Sequence, residues 1–307
     1  MTKLVVLALD DIEWISDELL SYLKSKGLVT ILDLVSSPIS ILREFGLSNI
    51  DSTRLIERSF ENLDNCKRGT DVNRIGMSRL KISTGSLAVD SILGGGVSTG
   101  RVTDFFGESG TGKTQLCFQI CLNTQLLSGD RKDVVFVDTA GTFRPERISE
   151  ISSGILDRNI LFRNIFLVTA RTSHEQVEVL RNIKNFDSPT GVRTLIIDTL
   201  TENFVYDYQD DKNLVGRQSA LARHLHDLAI TAIDDDIAVI VTNTVRSRLS
   251  DGKDSTLVET GGLTVSHGAH VRVRLEKVKG ELTASMDNTD LSARFKIGKK
   301  GIEDVGI

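Results

Sequence analysis

The sequence predicts an α/β protein, a mostly parallel sheet with flanking helices, preceded by a small all-α domain. Short apolar runs of strand length recur at helix-sized intervals between residues 102 and 241, as in parallel strands joined by crossover helices. A glycine-rich loop stands between the first of these runs and a helical stretch. Up to about residue 64, after a brief apolar start, the apolar positions follow a helical period.

In the first segment, residues 1–64, Ile15, Leu19, Leu20 and Leu23 share one face of a helix expected over Ile12–Lys24, with Gly27 at its stop. A second element, Thr30–Val35, ends before Pro38. Ile39–Phe45 then leads into the turn Gly46-Leu47-Ser48, and Asp51 suits the N-cap of a last helix. Short helices joined by a glycine-bearing turn resemble a helix-hairpin-helix, whose turn can offer backbone N–H groups to a phosphate. The same pattern describes a small helical bundle used for protein contact. Residues 65–80 are polar and aperiodic and read as a linker.

The core is expected over residues 81–307. Its strand-like runs are Val102–Phe106, Val134–Val137, Ile165–Val168, Leu195–Ile197 and Ile237–Val241. The last part changes texture: in His270–Leu275 apolar residues alternate with Arg272 and Arg274, and Leu291–Ile297 is similar. Such alternation predicts half-exposed strands in an antiparallel extension of the sheet.

Composition sets outer bounds. A chain of 307 residues with 40% hydrophobic and 26% charged residues can build one large and one small packed domain. No apolar run approaches the ~18 residues of a membrane span. The N-terminus lacks a secretory cleavage pattern. Cys117 and Cys121, four apart in a helical pattern, are expected as small core residues, and the three cysteines make neither a disulfide scaffold nor a zinc site. These features predict an intracellular protein, cytoplasmic or nuclear, with no membrane partner. A net charge of −5 gives no global attraction to nucleic acid, so any such binding must use local basic segments.

Gly107-Glu108-Ser109-Gly110-Thr111-Gly112-Lys113-Thr114 fits the Walker A pattern, with a strand before it and a helical stretch after it. Glycines let backbone N–H groups converge on phosphate oxygens, and the helix directs its positive end at them. Lys113 is expected to reach the β- and γ-phosphates of ATP, and Thr114 to offer its hydroxyl to Mg²⁺. The strand Thr194-Leu195-Ile196-Ile197 delivers Asp198 at its carboxyl end, the place for an aspartate that holds the metal through water.

Other segments carry a family resemblance. Ile82-Ser83-Thr84-Gly85-Ser86 and Leu93-Gly94-Gly95-Gly96 precede the phosphate loop. Phe136-Val137-Asp138-Thr139 runs into Gly141-Thr142-Phe143-Arg144-Pro145-Glu146-Arg147. Gly216-Arg217-Gln218, His224-Leu225-His226, Val241-Thr242-Asn243 and Lys300-Gly301-Ile302-Glu303-Asp304 follow. Together they resemble the RecA-like recombinases of the archaeal RadA and eukaryotic Rad type over nearly the whole chain. The resemblance implies a RecA-like core, ATP and Mg²⁺ as cofactors, and polymerisation on single-stranded DNA that is paired with a duplex. It implies Arg147 against the adenine. It implies two DNA-contacting loops, at about 208–214 and 246–259, with Lys212, Arg246, Arg248 and Lys253 as phosphate partners. A solvated charged loop is the plainer reading of those same charges.

The sequence departs from the family pattern at four places. Where the family carries a water-orienting glutamate, this chain has Ala140, leaving no catalytic residue there. A lost general base typically costs about 10²–10⁴ in rate. The subunit-docking Phe and Ala of the linker are missing from the Cys66-Lys67-Arg68-Gly69 stretch. Asp210-Asp211 stand where the first DNA loop has an arginine, and Thr244 stands where a glutamine switch is usual. These changes predict a divergent paralogue or mediator with weak hydrolysis, working beside a partner recombinase or by self-association. Two alternatives are a DNA-dependent ATPase that itself forms filaments and a regulatory scaffold with a structural nucleotide.

Overall fold

The computed structural model describes residues 8–12, 14–61, 79–183, 191–209, 213–249 and 255–305. The chain divides into two compact units, Met1–Ser78 and Arg79–Ile307.

The first unit is helical: α1 (Asp17–Ser25), α2 (Ile31–Ser36), α3 (Ser40–Glu44) and α4 (Asn49–Glu61). Helix α1 begins at Asp17 and not near Ile12, because the Ser16 hydroxyl accepts from the Leu19 amide (3.3 Å) while Leu9–Asp11 forms a 3₁₀ turn. Thr30 and Asp33 close a reciprocal capping box on α2, with Asp33 N to Thr30 Oγ1 at 3.1 Å and Thr30 N to Asp33 Oδ2 at 2.9 Å. At α4 it is Ser48 that accepts the Asp51 amide (3.1 Å), so Asp51 lies inside the first turn. Its carboxylate there still complements the helix dipole. Leu9, Leu19, Leu23, Ile31, Leu34 and Leu42 form the core of this unit.

The second unit is built on one large sheet. Its strands are β3 (Arg101–Gly107), β4 (Asp133–Asp138), β5 (Ile165–Thr169), β6 (Val192–Asp198), β7 (Ala238–Leu249), β8 (Ser255–Glu259), β9 (Val271–Val278), β10 (Glu281–Met286), β11 (Ser292–Gly298) and β12 (Gly301–Asp304). A separate antiparallel pair, β1 (Lys81–Ile82) and β2 (Val97–Ser98), flanks α5 (Leu87–Ile92). The strand order is β12-β11-β10-β9-β3-β7-β6-β4-β5, with β8 paired to the far end of β7. Crossovers are supplied by α6 (Lys113–Gln125), α7 (Pro145–Ser152), α8 (Arg158–Arg163), α9 (Ser173–Arg181), α10 (Glu202–Asp207) and α11 (Leu214–Asp234), while α12 (Leu263–Gly268) leads into β9.

Alternation decides which side chain faces which layer. Val134, Phe136, Ile196 and Ile240 enter one core with Leu116, Cys117 and Phe118 of α6. Val135, Val137, Leu195, Ile197, Val239 and Val241 enter the other with residues of α9 and α11. Both faces of these strands are covered, so they read as continuous apolar runs. Cys117 and Cys121 are buried in the first core.

The C-terminal extension differs from expectation in its first step. Strand β9 joins β3 in parallel, and only β10, β11 and β12 continue antiparallel. Helix α12 and the two residues after it carry the chain back across the sheet before β9 starts, which permits the parallel pairing.

His224 of α11 is buried, with its Nε2 3.3 Å from Gln176 Nε2, and burial holds its imidazole pKa down at about 4. The unfolded chain takes up this proton below the ordinary value of 6.5 while the folded chain does not. Stability from this group is therefore full above 6.5 and lost as pH falls toward 4. Acidification from about pH 7 to about pH 5 is expected to cost the wild type roughly 2 kcal/mol more than His224→Gln in urea unfolding. Equal losses in both proteins would remove His224 from the account.

Candidate nucleotide site and adjoining hairpin

Strand β3 ends at Gly107, where it lies between Thr244 of β7 and Leu275 of β9. A Cβ on Gly107 would stand 2.1 Å from the Leu275 carbonyl oxygen, so only glycine lets the chain leave the sheet here. Glu108, Ser109 and Gly110 are exposed, and the buried Thr111 donates its hydroxyl to the Glu108 carbonyl at 2.8 Å. Gly112 turns the chain at φ 98° and opens α6 without a side-chain cap. The first amides of this 13-residue helix thus have no capping side chain.

Lys113 is almost wholly buried and donates from Nζ to the carbonyls of Gly107 (2.8 Å) and Glu108 (2.7 Å). Burial lowers its ammonium pKa, and the nearby Asp198 carboxylate works against that shift. Thr114 donates its hydroxyl to Asp198 Oδ2 at 2.7 Å. The other Asp198 oxygen accepts from the Thr242 hydroxyl. The structure therefore brings together Lys113, Thr114 and Asp198, although Thr114 and Asp198 lie 84 residues apart in the sequence. A glycine cradle, one buried cation and a hydroxyl–carboxylate pair make a donor set that fits a nucleotide phosphate with a hard divalent cation.

The loop after β4 is wound on one carboxylate. Asp138 accepts from the amides of Ala140 (3.2 Å), Thr142 (3.1 Å) and Phe143 (2.9 Å). Phe143 is then fixed edge-on against Phe136 and Phe118, at 4.9 and 5.7 Å between ring centroids. Thr139 joins the loop to the end of β6, accepting the Thr199 amide at 2.7 Å. Ala140 is exposed on this well-held turn and offers a methyl group only. Glu108 and Glu146 are also exposed.

Arg147 has a fuller set of partners than its sequence reading supplies. Nε donates to Gln115 Oε1 (2.7 Å), Nη1 to Glu150 (2.6 Å) and to the Lys299 carbonyl (3.2 Å), and Nη2 to the Gly298 carbonyl (2.6 Å). These bonds occupy the edge of the guanidinium and tie α6, α7 and the β11–β12 turn together. Its flat face is the part left for an aromatic ring.

The segment expected as a second loop over 246–259 is largely a β-hairpin. Strand β7 runs through to Leu249 and pairs antiparallel with β8, setting Arg246 opposite Val258 and Arg248 opposite Thr256. In Val245-Arg246-Ser247-Arg248-Leu249 apolar or small residues alternate with arginines at the period of a strand, and a partner six to fourteen residues on completes the pair. Arg246 is exposed. Lys253 lies outside the described residues, as do Lys212, Asp210-Asp211 and the Cys66–Gly69 stretch.

Sequence reasoning missed a polar network behind the loop. Asn243 accepts from Thr201 (2.7 Å) and donates to Glu259 Oε1 (2.9 Å) and the Thr260 carbonyl (2.7 Å). Arg272, expected on an exposed face, has only 10% of its side chain exposed and meets Asp104, Glu259 and Asp287. Asp104 in the middle of the apolar run Val102–Phe106 was the signal, since a charge inside a covered strand requires a partner.

Residues 76–305 match the Rad51 family. The DNA repair and recombination protein RadA of Metallosphaera sedula is 32% identical over 309 aligned residues, covering 96% of this chain and 94% of that protein. RadA of Aeropyrum pernix is 33% identical over 250 residues, covering 80% of this chain and 78% of its own length. A β3–phosphate loop–α6 unit with Asp198 at the end of β6, inside a stretch matched over most of its length, leads to one conclusion: the chain belongs to the Rad51 family.

Proposed function

We propose that this chain is an ATP- and DNA-binding protein of homologous recombination and DNA repair, of the RadA type, whose own ATP hydrolysis is slow. The observation that carries the slow-hydrolysis reading is Ala140, set on a turn held by three amides to Asp138, while Lys113, Thr114 and Asp198 are all present. The likeness to RadA proteins, which are DNA repair and recombination proteins, supports the recombination and repair reading. Among the described residues no helix is long and apolar enough to cross a membrane.

In this reading Gly107, Glu108, Ser109, Gly110, Thr111 and Gly112 cradle the phosphates with their backbone, and Lys113 exchanges two loop carbonyls for phosphate oxygens. Thr114 and Asp198 hold Mg²⁺, which when bound neutralises charge developing on the phosphates. Arg147 lends its face to the adenine. Arg246 and Arg248 bring positive charge to the hairpin, with Lys253 and Lys212 as further phosphate partners. The ligand is single-stranded DNA in the first place and duplex DNA in the second. The glycine turn between α3 and α4 is the helix-hairpin-helix element. A partner recombinase or a second copy completes the assembly, and the protein works where cellular DNA lies.

Lys113→Ala is expected to lose about 1.5–3 kcal/mol of ATP binding, the worth of a hydrogen bond to a charged group. Unchanged affinity by calorimetry would remove the phosphate loop from the reading. The pair Arg246→Ala and Arg248→Ala should weaken single-strand binding across all sequences and reduce the salt slope by about 1.4, or 0.7 for each lost phosphate contact. A salt slope equal to that of the wild type would assign DNA contact elsewhere. Ala140→Glu should raise single-turnover hydrolysis, within the roughly 10²–10⁴-fold range of a general base, with nucleotide affinity unchanged. No gain in the presence of DNA and Mg²⁺ would mean that hydrolysis is limited by something other than residue 140.

A further inference from the structure

We propose that Glu259 is a positioning residue that bolts the β7–β8 hairpin to the floor of the phosphate loop, so that hairpin and loop move as one piece. Its functional consequence rests on the reading of that hairpin as a DNA contact. Glu259 is the last residue of β8 and pairs with Val245 where the hairpin leaves the sheet. One carboxylate oxygen accepts from Asn243 Nδ2 at 2.9 Å, and the other binds Arg272. Asn243 lies opposite Phe106 on β3, one residue before Gly107, and its own Oδ1 accepts the Thr244 amide at 2.9 Å. Thr244 in turn lies opposite Gly107. The hairpin base is thereby tied to the residues from which the phosphate loop springs. A cavity of about 130 Å³ bounded by Gly107, Glu108, Val245 and residues 274–278 lies beside this junction.

Arg272 is the common anchor. Its guanidinium stands 4.2 Å from the Phe106 ring centroid and contacts Asp104 (3.3 Å), Glu259 and Asp287. Three acidic side chains thus share one cation. Asp104 is fully buried, and its Oδ1 has no hydrogen-bond partner among the described residues. Burial first, then the neighbouring Glu259 carboxylate, pushes the Asp104 pKa up to about 8, against the pull of Arg272. The groups facing Asp104 are Glu259 from β8, Arg272 from β9 and Asp287 from the turn after β10, with Lys113 of α6 also within electrostatic reach. Below about 8 Asp104 is neutral and Arg272 is free to serve Glu259 and Asp287. Above it a third negative charge competes for Arg272 and repels Glu259, which loosens the bolt.

Hydrogen exchange followed by mass spectrometry on the full-length chain tests this without requiring DNA. In Glu259→Ala, amides of residues 245–249 and 255–259 should exchange about tenfold faster, as expected for loss of charge-assisted bonds, while β4 and β6 keep their protection. Equal protection of the hairpin in variant and wild type, or faster exchange spread evenly over the sheet, overturns the proposal. Glu259→Gln keeps the side-chain shape and serves as the gentler variant. In the wild type, hairpin exchange corrected for intrinsic rates should quicken between about pH 7 and pH 9, and in Glu259→Gln that quickening should vanish. Identical profiles in the two proteins also overturn it. Single-strand affinity with and without a non-hydrolysable ATP analogue separates the two claims. The nucleotide-dependent gain should shrink in Glu259→Ala. A wild type with no gain counts against the proposed function, whereas the bolt is judged on exchange alone.

Discussion

The close approach of β3, set between its parallel neighbours β7 and β9, to the Leu275 backbone at Gly107 governs everything around the candidate site. With the Leu275 carbonyl 2.1 Å from where a Cβ would sit, the strand can only end in glycine and turn away from the sheet. That turn sets the phosphate loop, aims α6 at it and buries Lys113 against the loop's own carbonyls. The same two neighbours carry the rest of the machinery. Strand β7 continues past the sheet into the hairpin, and β9 brings Arg272 beneath it. One steric constraint thus places the glycine-rich loop and the hairpin on adjoining strands.

Electrostatics follow the same geography. The chain is acidic overall, so attraction for a polyanion has to be local. Inside, charge is handled by pairing: Asp198 between two hydroxyls, Asp138 among three amides, and Arg272 among three carboxylates. The first two arrangements satisfy a carboxylate with neutral donors and hold a rigid turn. The third is over-supplied with negative charge, and it lies where the hairpin meets the sheet. Buried ionic groups of this kind are costly to desolvate, which makes them better at fixing geometry than at adding stability.

Much of this was legible in the sequence because local rules dictated it. Strands covered on both faces betray themselves as apolar runs, so β3, β4, β6 and the first half of β7 were visible, and the glycine spacing of residues 107–114 marked the loop. The misses have physical causes. Helix starts were misplaced at α1 and α4, because Ser16 and Ser48 compete for the cap with several nearby polar residues. The parallel entry of β9 depends on a distant strand, which alternation in Val271–Leu275 cannot identify. The same alternation suggested that Arg272 was exposed, whereas Asp104, 168 residues earlier in the chain, draws it inward. The hairpin was hidden because its polar strands leave the covered sheet and pair only with each other.

In the function proposed above, this site keeps ATP whole for want of a group to align water at residue 140. Its most direct test is the identity of the nucleotide recovered from the protein. The full-length chain would be loaded with ATP and Mg²⁺ in the presence of single-stranded DNA, held for many times the turnover time of an ordinary ATPase, then separated from free nucleotide and denatured. Chromatography of the released nucleotide should show mostly ATP in near-stoichiometric amount. Mostly ADP would contradict the account and show that another residue has taken over the water.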